Sequence, residues 1–122
     1  HGESTDVARL LRAADAYVQP SHYESFSNAL TEAMATALPV VATRVGGMLD
    51  AVRHEENGLL CTPRDASALA SAMRQVMLDS KWAAALGQRA RQTVVEQFSE
   101  AVVMERLAEL LRGVAVSRVL AR

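Results

Sequence analysis

The sequence has little that would indicate a disulfide-rich, membrane-spanning or nucleic-acid-binding protein. Its single cysteine, Cys61, excludes an internal disulfide and is typical of a reducing compartment. It has no apolar run of about 18 residues and no signal-peptide core, so we expect neither a membrane-spanning helix nor a secretory leader. The formal net charge is -1 and basic residues form no cluster, which argues against a nucleic-acid partner.

Patterns that bind metal ions are also missing. Histidines stand far apart at positions 1, 22 and 54, and no Asp-x-Asp motif occurs. His22 lies near Glu24, but a lone loop histidine is far more often an ordinary polar residue than a ligand. The sequence therefore has no recognisable pattern for binding a metal ion.

The composition is that of an ordinary globular domain. The chain has 122 residues, of which 50% are hydrophobic and 22% charged, enough for one domain with a modest core. Short apolar runs at residues 16–19, 39–43 and 59–61 alternate with helical patterns at about residues 7–14, 28–38, 48–53, 66–79, 81–97 and 99–112. This alternation predicts an α/β fold: a Rossmann-like, three-layer parallel sheet followed by C-terminal helices.

Three strands are few for such a sheet, since doubly wound sheets usually have about five or six. We therefore predict one partial domain, residues 1–122, with an unpaired strand edge. Apolar residues also recur at helical spacing in the fourth helix (Ala66, Leu69, Ala70, Met73, Val76, Met77) and in the last one (Val103, Leu107, Leu110, Leu111, Val114). The open edge and these stripes predict that the isolated chain forms homo-oligomers.

The most informative stretch runs from Pro20 to Gly47. Glu24 lies in the loop after the first strand, and ligands of open parallel sheets gather beyond the carboxyl ends of the strands. A carboxylate there could accept hydrogen bonds from sugar hydroxyls. The alternative is a solvated loop glutamate.

The helix that follows begins near Ser27 or Asn28. Its free N–H groups, from Ser27 to about Leu30, and its positive dipole end could bind a diphosphate. The alternative is that Ser27 or Asn28 simply caps the helix.

Glu32 falls nearly opposite the apolar stripe of this helix, so periodicity predicts that it is exposed. Its neighbours Ala29, Ala35 and Thr36 are small and leave room for a ligand, with Glu32 binding vicinal hydroxyls such as a ribose diol. A solvated helix face is the alternative. If both glutamates act, we expect them to bracket the amino end of the helix and share a cleft.

Together these residues resemble the C-terminal domain of family 4, GT-B-type retaining glycosyltransferases. The resemblance extends from about Gly2 to Val114. It is carried by Glu24, Ser25–Asn28, Glu32–Ala35, Pro39–Thr43 and Gly46–Gly47.

The resemblance implies a metal-independent site that uses no cofactor and binds a nucleotide-diphospho-sugar as substrate. The scattered histidines and the missing Asp-x-Asp motif agree with this. The resemblance also implies that the donor sugar is bound by Glu24, Ser25, Phe26 and Ser27, the diphosphate by the backbone N–H groups of Asn28, Ala29 and Leu30, and the ribose by Glu32. Two departures are Ala37, where the family usually has glycine, and Asp50, where it usually has glutamate. Ala37 would strain its turn if that position needs a positive φ.

Other parts of the family pattern are absent. Its basic pair, base-binding residues and acceptor domain lie upstream of this sequence, and Arg44, Arg53 and Arg64 do not match them. We therefore expect a donor-binding segment of a hexosyltransferase, with no complete catalytic set, that is inactive without the N-terminal portion. We expect a cytoplasmic location, with peripheral attachment to the inner membrane face as a possibility for the parent enzyme. The alternatives are a stand-alone nucleotide-sugar-binding partner subunit and a non-catalytic α/β remnant that self-associates.

Overall fold

The computed structural model describes residues 4–120, with the side chains of residues 4–114. Every helix and strand predicted from the sequence is present, although several have different ends. In chain order they are α1 (Val7–Arg12), β1 (Tyr17–Gln19), α2 (Asn28–Ala35), β2 (Val40–Thr43), α3 (Met48–Ala51), β3 (Leu59–Cys61), α4 (Ala66–Leu78), α5 (Ser80–Gln97) and α6 (Glu100–Leu120).

The three strands form one parallel sheet in the order β1-β2-β3. Val18 of β1 lies beside Val41 of β2, which in turn lies beside Leu59 of β3. This confirms the predicted α/β fold. Because parallel strands end at the same edge, the segments that follow β1, β2 and β3 are brought together there.

The middle strand β2 is buried along its whole length, as its continuous apolar sequence predicts. Val40 and Ala42 belong to one core cluster, which α2 completes with Leu30, Ala33 and Met34. Val41 belongs to a second cluster, which includes Leu59 of β3, Ala72 and Val76 of α4, and Ala83 and Leu86 of α5. Successive strand residues face opposite sides, so the sheet is the middle layer of three.

Helix α2 ends at Ala35, earlier than the predicted Leu38, because the backbone of Ala37 is left-handed with a φ of 61°. The N–H of Ala37 donates to the carbonyl of Met34 at 3.0 Å, and that of Leu38 donates to Ala33 at 3.3 Å. This pair of bonds is the Schellman arrangement that normally has glycine at its left-handed position.

The turn after α2 is held in place by α5. A Cβ atom on Gly87 would lie 2.0 Å from the carbonyl oxygen of Ala37, so only glycine permits this approach of the two backbones. The contact fixes the path of the chain from α2 into β2.

Two predicted helices differ in part from the structure. In α4, Leu69 and Val76 of the predicted stripe do pack into the core, together with Ala72. Met77 is 78% exposed, so only part of the predicted stripe is buried. The apolar stripe of α6 is exposed, and the helix extends to Leu120 instead of ending near Arg112. No helix within residues 4–120 is both long and apolar enough to cross a membrane.

Candidate functional site

The loop between β1 and α2 packs directly on the turn after β2. The N–H of Gly47 donates to the carbonyl of Glu24 at 3.1 Å. A Cβ atom on Gly46 would lie 1.8 Å from the carbonyl oxygen of Glu24, and one on Gly47 would lie 2.0 Å from that of Ser25. Gly46 also has a positive φ of 41°. The glycine pair therefore fixes the backbone that carries Glu24, as the sequence predicts in outline.

The carboxylate of Glu24 is half-buried and has one side-chain partner. The Nε2 group of Gln19, at the end of β1, donates to Oε2 of Glu24 at 3.0 Å. Sequence reasoning did not identify Gln19 as part of the site. The sequence does show that Gln19 is a polar residue on the same face of β1 as Tyr17, two positions earlier. It does not show that Glu24, in the following loop, lies within hydrogen-bonding distance of Gln19, because the position of that loop depends on the fold.

The other residues proposed for the sugar differ in exposure. Ser25 is exposed, and the ring of Phe26 is 41% exposed with its centroid 5.5 Å from that of Phe98. Ser27 is buried, and its hydroxyl accepts a hydrogen bond from the N–H of Leu30 at 3.1 Å. Ser27 is therefore the helix cap.

The amino end of α2 retains unpaired backbone donors. The N–H groups of Asn28 and Ala29 lie in the first turn and have no protein acceptor within the described part of the chain. The N–H of Leu30 is already paired with Ser27, so it would have to leave its cap to bind a phosphate. Two first-turn amides remain available to an anion.

Glu32 is exposed on α2, as predicted, and lies between two surface grooves. The first groove, of about 460 Å³, is lined by Thr5, Asp6, Val7, Ala8, Leu11, Glu32, Ala35 and Thr36. The second, of about 340 Å³, is lined by Phe26, Asn28, Thr31, Glu32, Ala35, Val94, Phe98 and Val103. Glu24 does not line either of these two grooves. A cleft shared by the two glutamates stays a prediction.

The two glutamates nevertheless act on one side chain, the Tyr17 phenol. Burial raises the pKa of Tyr17 above its ordinary value of 10.0, and the charges of Glu24 and then Glu32 raise it further. Both carboxylates therefore lie within electrostatic reach of the Tyr17 phenol.

Two arginines near this edge make hydrogen bonds within the chain, Arg64 through its side chain and Arg44 through its backbone. The Nε group of Arg64, after β3, donates to Nδ1 of His22 in the loop after β1 at 3.3 Å. The backbone N–H of Arg44 donates to the carbonyl of Cys61 at 2.8 Å. Within the described residues, no three His, Cys, Asp or Glu side chains are grouped so that they could hold a metal ion.

Cys61 lacks the surroundings of a reactive thiol. It is buried at the end of β3, and its Sγ donates to the carbonyl of Ala42 at 3.4 Å. Burial raises the pKa of this thiol, which disfavours the nucleophilic thiolate. The site therefore offers carboxylates, hydroxyls and backbone amides.

Comparison with known proteins assigns the family. Residues 1–93 match the sequence model of the family described as glycosyl transferases group 1. The chain belongs to this family. As a group 1 glycosyltransferase sequence, it is 37% identical over 110 residues to glycogen synthase of Mycobacterium tuberculosis (strain CDC 1551 / Oshkosh), covering 90% of this chain and 27% of that enzyme.

Solved structures of glycosyltransferases share the fold. Anabaena Alr3699/HepE in complex with UDP-glucose superposes with a TM-score of 0.84 at 29% identity, covering 90% of this chain and 30% of that one. The C-terminal domain of LpcC, a glycosyl transferase group 1 family protein from Francisella tularensis, superposes with a TM-score of 0.74 at 28% identity, covering 82% of this chain and 51% of that one. These likenesses confirm the predicted resemblance to GT-B glycosyltransferases.

Proposed function

We propose that this chain is the donor-binding segment of a retaining glycosyltransferase that transfers a hexose from a nucleotide-diphospho-sugar to an acceptor. The observation that carries the proposal is the Glu24 loop, which the Gly46–Gly47 turn fixes beside the capped amino end of α2. The binding of UDP-glucose by the Anabaena relative supports this class of ligand.

The proposed roles follow from the chemistry of each group. Glu24 accepts hydrogen bonds from hexose hydroxyls, with Ser25, Phe26 and Ser27 forming the adjoining backbone of the sugar site. The free amides of Asn28 and Ala29 bind the diphosphate at the positive end of the α2 dipole, and Leu30 joins them if Ser27 releases its amide.

Glu32 is assigned to the ribose because its exposed carboxylate lies about one turn farther along α2 than the Asn28 and Ala29 amides, beside small side chains. Vicinal ribose hydroxyls can both donate to a single carboxylate. The groove against α1, which Glu32 lines with Ala35, gives the nucleoside space on this side of the helix.

The site needs residues beyond this chain. The chain spans 27% of the length of the glycogen synthase and 30% of the Anabaena relative. We assign residues 1–122 to part of the C-terminal domain, in keeping with the likeness to the LpcC domain. The remainder would supply the acceptor site, the base-binding residues and the cationic groups that a metal-independent site needs for the leaving diphosphate. The isolated chain would then transfer no sugar.

Titration of the ¹⁵N-labelled chain with UDP-glucose, GDP-mannose and ADP-glucose tests the proposal by NMR. With the preferred donor, the amides of residues 24–30 should shift, whereas residues of α4 should not. Glu24→Gln and Glu32→Gln should each weaken binding about tenfold, since each removes charge-assisted hydrogen bonds. Glu56→Gln, in the turn before β3, is the matched control and should bind as the wild type does.

The proposal would be refuted if the amide spectrum of the chain stayed unchanged in millimolar concentrations of all three donors. Shifts that are identical in the wild type and in both glutamate variants would also refute the proposal, because neither carboxylate would then contact the donor.

A further inference from the structure

Gln19 lies at the centre of a network of polar side chains that joins β1, the Glu24 loop and α2. Its Nε2 donates to Oε2 of Glu24 at 3.0 Å and to Oγ of Ser21 at 3.3 Å. Its Oε1 accepts from the hydroxyl of Ser27 at 2.8 Å and from that of Tyr17 at 3.0 Å. The four bonds use both N–H groups and both lone pairs of the amide.

This arrangement allows only one orientation of the Gln19 amide. If the amide were rotated by 180°, its oxygen would face the Glu24 carboxylate and repel it. Its NH₂ group would then face the hydroxyls of Ser27 and Tyr17, which would lose their acceptor. Ser27 is constrained as well, because its oxygen accepts from the N–H of Leu30 while its proton goes to Gln19. The network therefore connects the Glu24 carboxylate to the cap of α2.

The network orders Glu24 before any ligand is present. A glutamate in a loop normally samples many rotamers, and a ligand that fixes one of them must overcome that loss of entropy. Here Oε2 is already held by Gln19, while Oε1 has no hydrogen-bond partner within the described residues. Oε1 and the second lone pair of Oε2 can accept hydroxyl protons.

We infer that Gln19 is a positioning residue, which holds the Glu24 carboxylate in the orientation that binds hexose hydroxyls. This inference rests on the proposed function, because it takes Glu24 as the sugar-binding group. It adds a residue outside the proposed set of ligand contacts, one that acts on the sugar only through Glu24.

Comparing the affinities for UDP-glucose and UDP tests the inference, because only UDP-glucose carries the hexose. Gln19→Glu keeps the length of the side chain and the acceptor for Tyr17 and Ser27, but sets a second negative charge against Glu24. We expect about tenfold weaker binding of UDP-glucose and unchanged binding of UDP. If the wild type prefers a guanine nucleotide, the affinities for GDP-mannose and GDP are compared instead. If it prefers an adenine nucleotide, those for ADP-glucose and ADP are compared.

The double variant Gln19→Glu/Glu24→Gln separates positioning from stability. It re-forms the side-chain hydrogen bond with donor and acceptor exchanged, so its melting temperature should return toward that of the wild type. Its preference for the sugar nucleotide should stay lost, because the carboxylate now lies at position 19. A merely structural role predicts instead that Gln19→Glu alone lowers the melting temperature and weakens UDP-glucose and UDP alike, so that the preference for the sugar nucleotide is kept.

Failure of the inference and failure of the proposed function give different results. If Glu24→Gln lowers the preference for the sugar nucleotide while Gln19→Glu keeps it, Glu24 binds the sugar without help from Gln19 and the inference is wrong. Equal weakening of both ligands by Gln19→Glu also overturns it. If Glu24→Gln leaves the preference unchanged, or the wild type has none, the proposed function fails and the inference with it.

Discussion

The pKa of Tyr17 is a single quantity that depends on both glutamates of the candidate site. Burial raises its pKa first, followed by the charges of Glu24 and Glu32. The folded chain therefore favours the neutral phenol, and the stability from this group is fully present below pH 10, the ordinary tyrosine pKa. As pH rises through the higher pKa of the folded state, that contribution is lost.

Absorbance titration of the phenolate measures this pKa, with Tyr17→Phe subtracted to remove the signal of Tyr23. We expect the Tyr17 pKa to fall in both Glu24→Gln and Glu32→Gln, yet to stay above 10.0 because burial remains. Glu56→Gln should leave it unchanged. A Tyr17 pKa that responds to neither site variant would mean that the two carboxylates do not meet at this phenol.

Single residues show how far the sequence can define the site. Glu24 and Glu32 can be found because their spacing is embedded in a recognisable string, and Ser27 because a serine before a helical pattern is a usual cap. The role of Gln19 depends on a contact between a strand and a loop. No local period encodes that contact, so the fold had to be known first.

At the scale of the element, the turn that follows α2 has an alanine at a position whose backbone conformation favours glycine. Ala37 has a φ of 61° in a Schellman turn, a backbone region that costs an L-residue about 1 to 2 kcal/mol. Glycine removes that cost but gives up about 0.5 to 1 kcal/mol of unfolded-state entropy. Ala37→Gly should therefore raise the free energy of unfolding by about 0.5 to 1 kcal/mol.

Urea unfolding followed by circular dichroism measures this change. Ala35→Gly, two positions earlier and inside α2, is the matched control and should lower the free energy of unfolding by about 0.5 to 1 kcal/mol. A decrease in both variants would show that the left-handed turn does not strain Ala37.

Elements differ in how well their sequence defines them. β2 is continuously apolar and is buried on both faces, so its prediction holds from Val40 to Thr43 and misses only the first predicted residue, Pro39. The face of α4 was predicted only in part, because alanines occur on several sides of that helix. Packing against the sheet and α5 buries Ala72 beside the predicted Val76. Small residues carry a weak periodic signal, and tertiary contacts then decide which of them are buried.

At the scale of the whole molecule, two kinds of surface are left for association. Within the described residues β1 and β3 each pair only with β2, so both outer edges of the sheet lack a strand partner. The stripe of α6 formed by Val103, Leu107, Leu110, Leu111 and Val114 is exposed, with Leu110 at 66%. We expect a second copy of the isolated chain to cover the α6 stripe, since such apolar surface is more stable out of water.

Sedimentation velocity over a range of concentrations measures this association. The wild-type chain should sediment faster as its concentration rises, whereas Leu107→Glu/Leu110→Glu should remain a monomer because the charges cannot be buried without partners. Arg112→Glu, nine residues after Val103 and so opposite the stripe at 100° per residue, should associate as the wild type does. A wild-type monomer at all concentrations would exclude self-association, and an oligomer that survives the double variant would move the contact from α6 to an outer edge of the sheet.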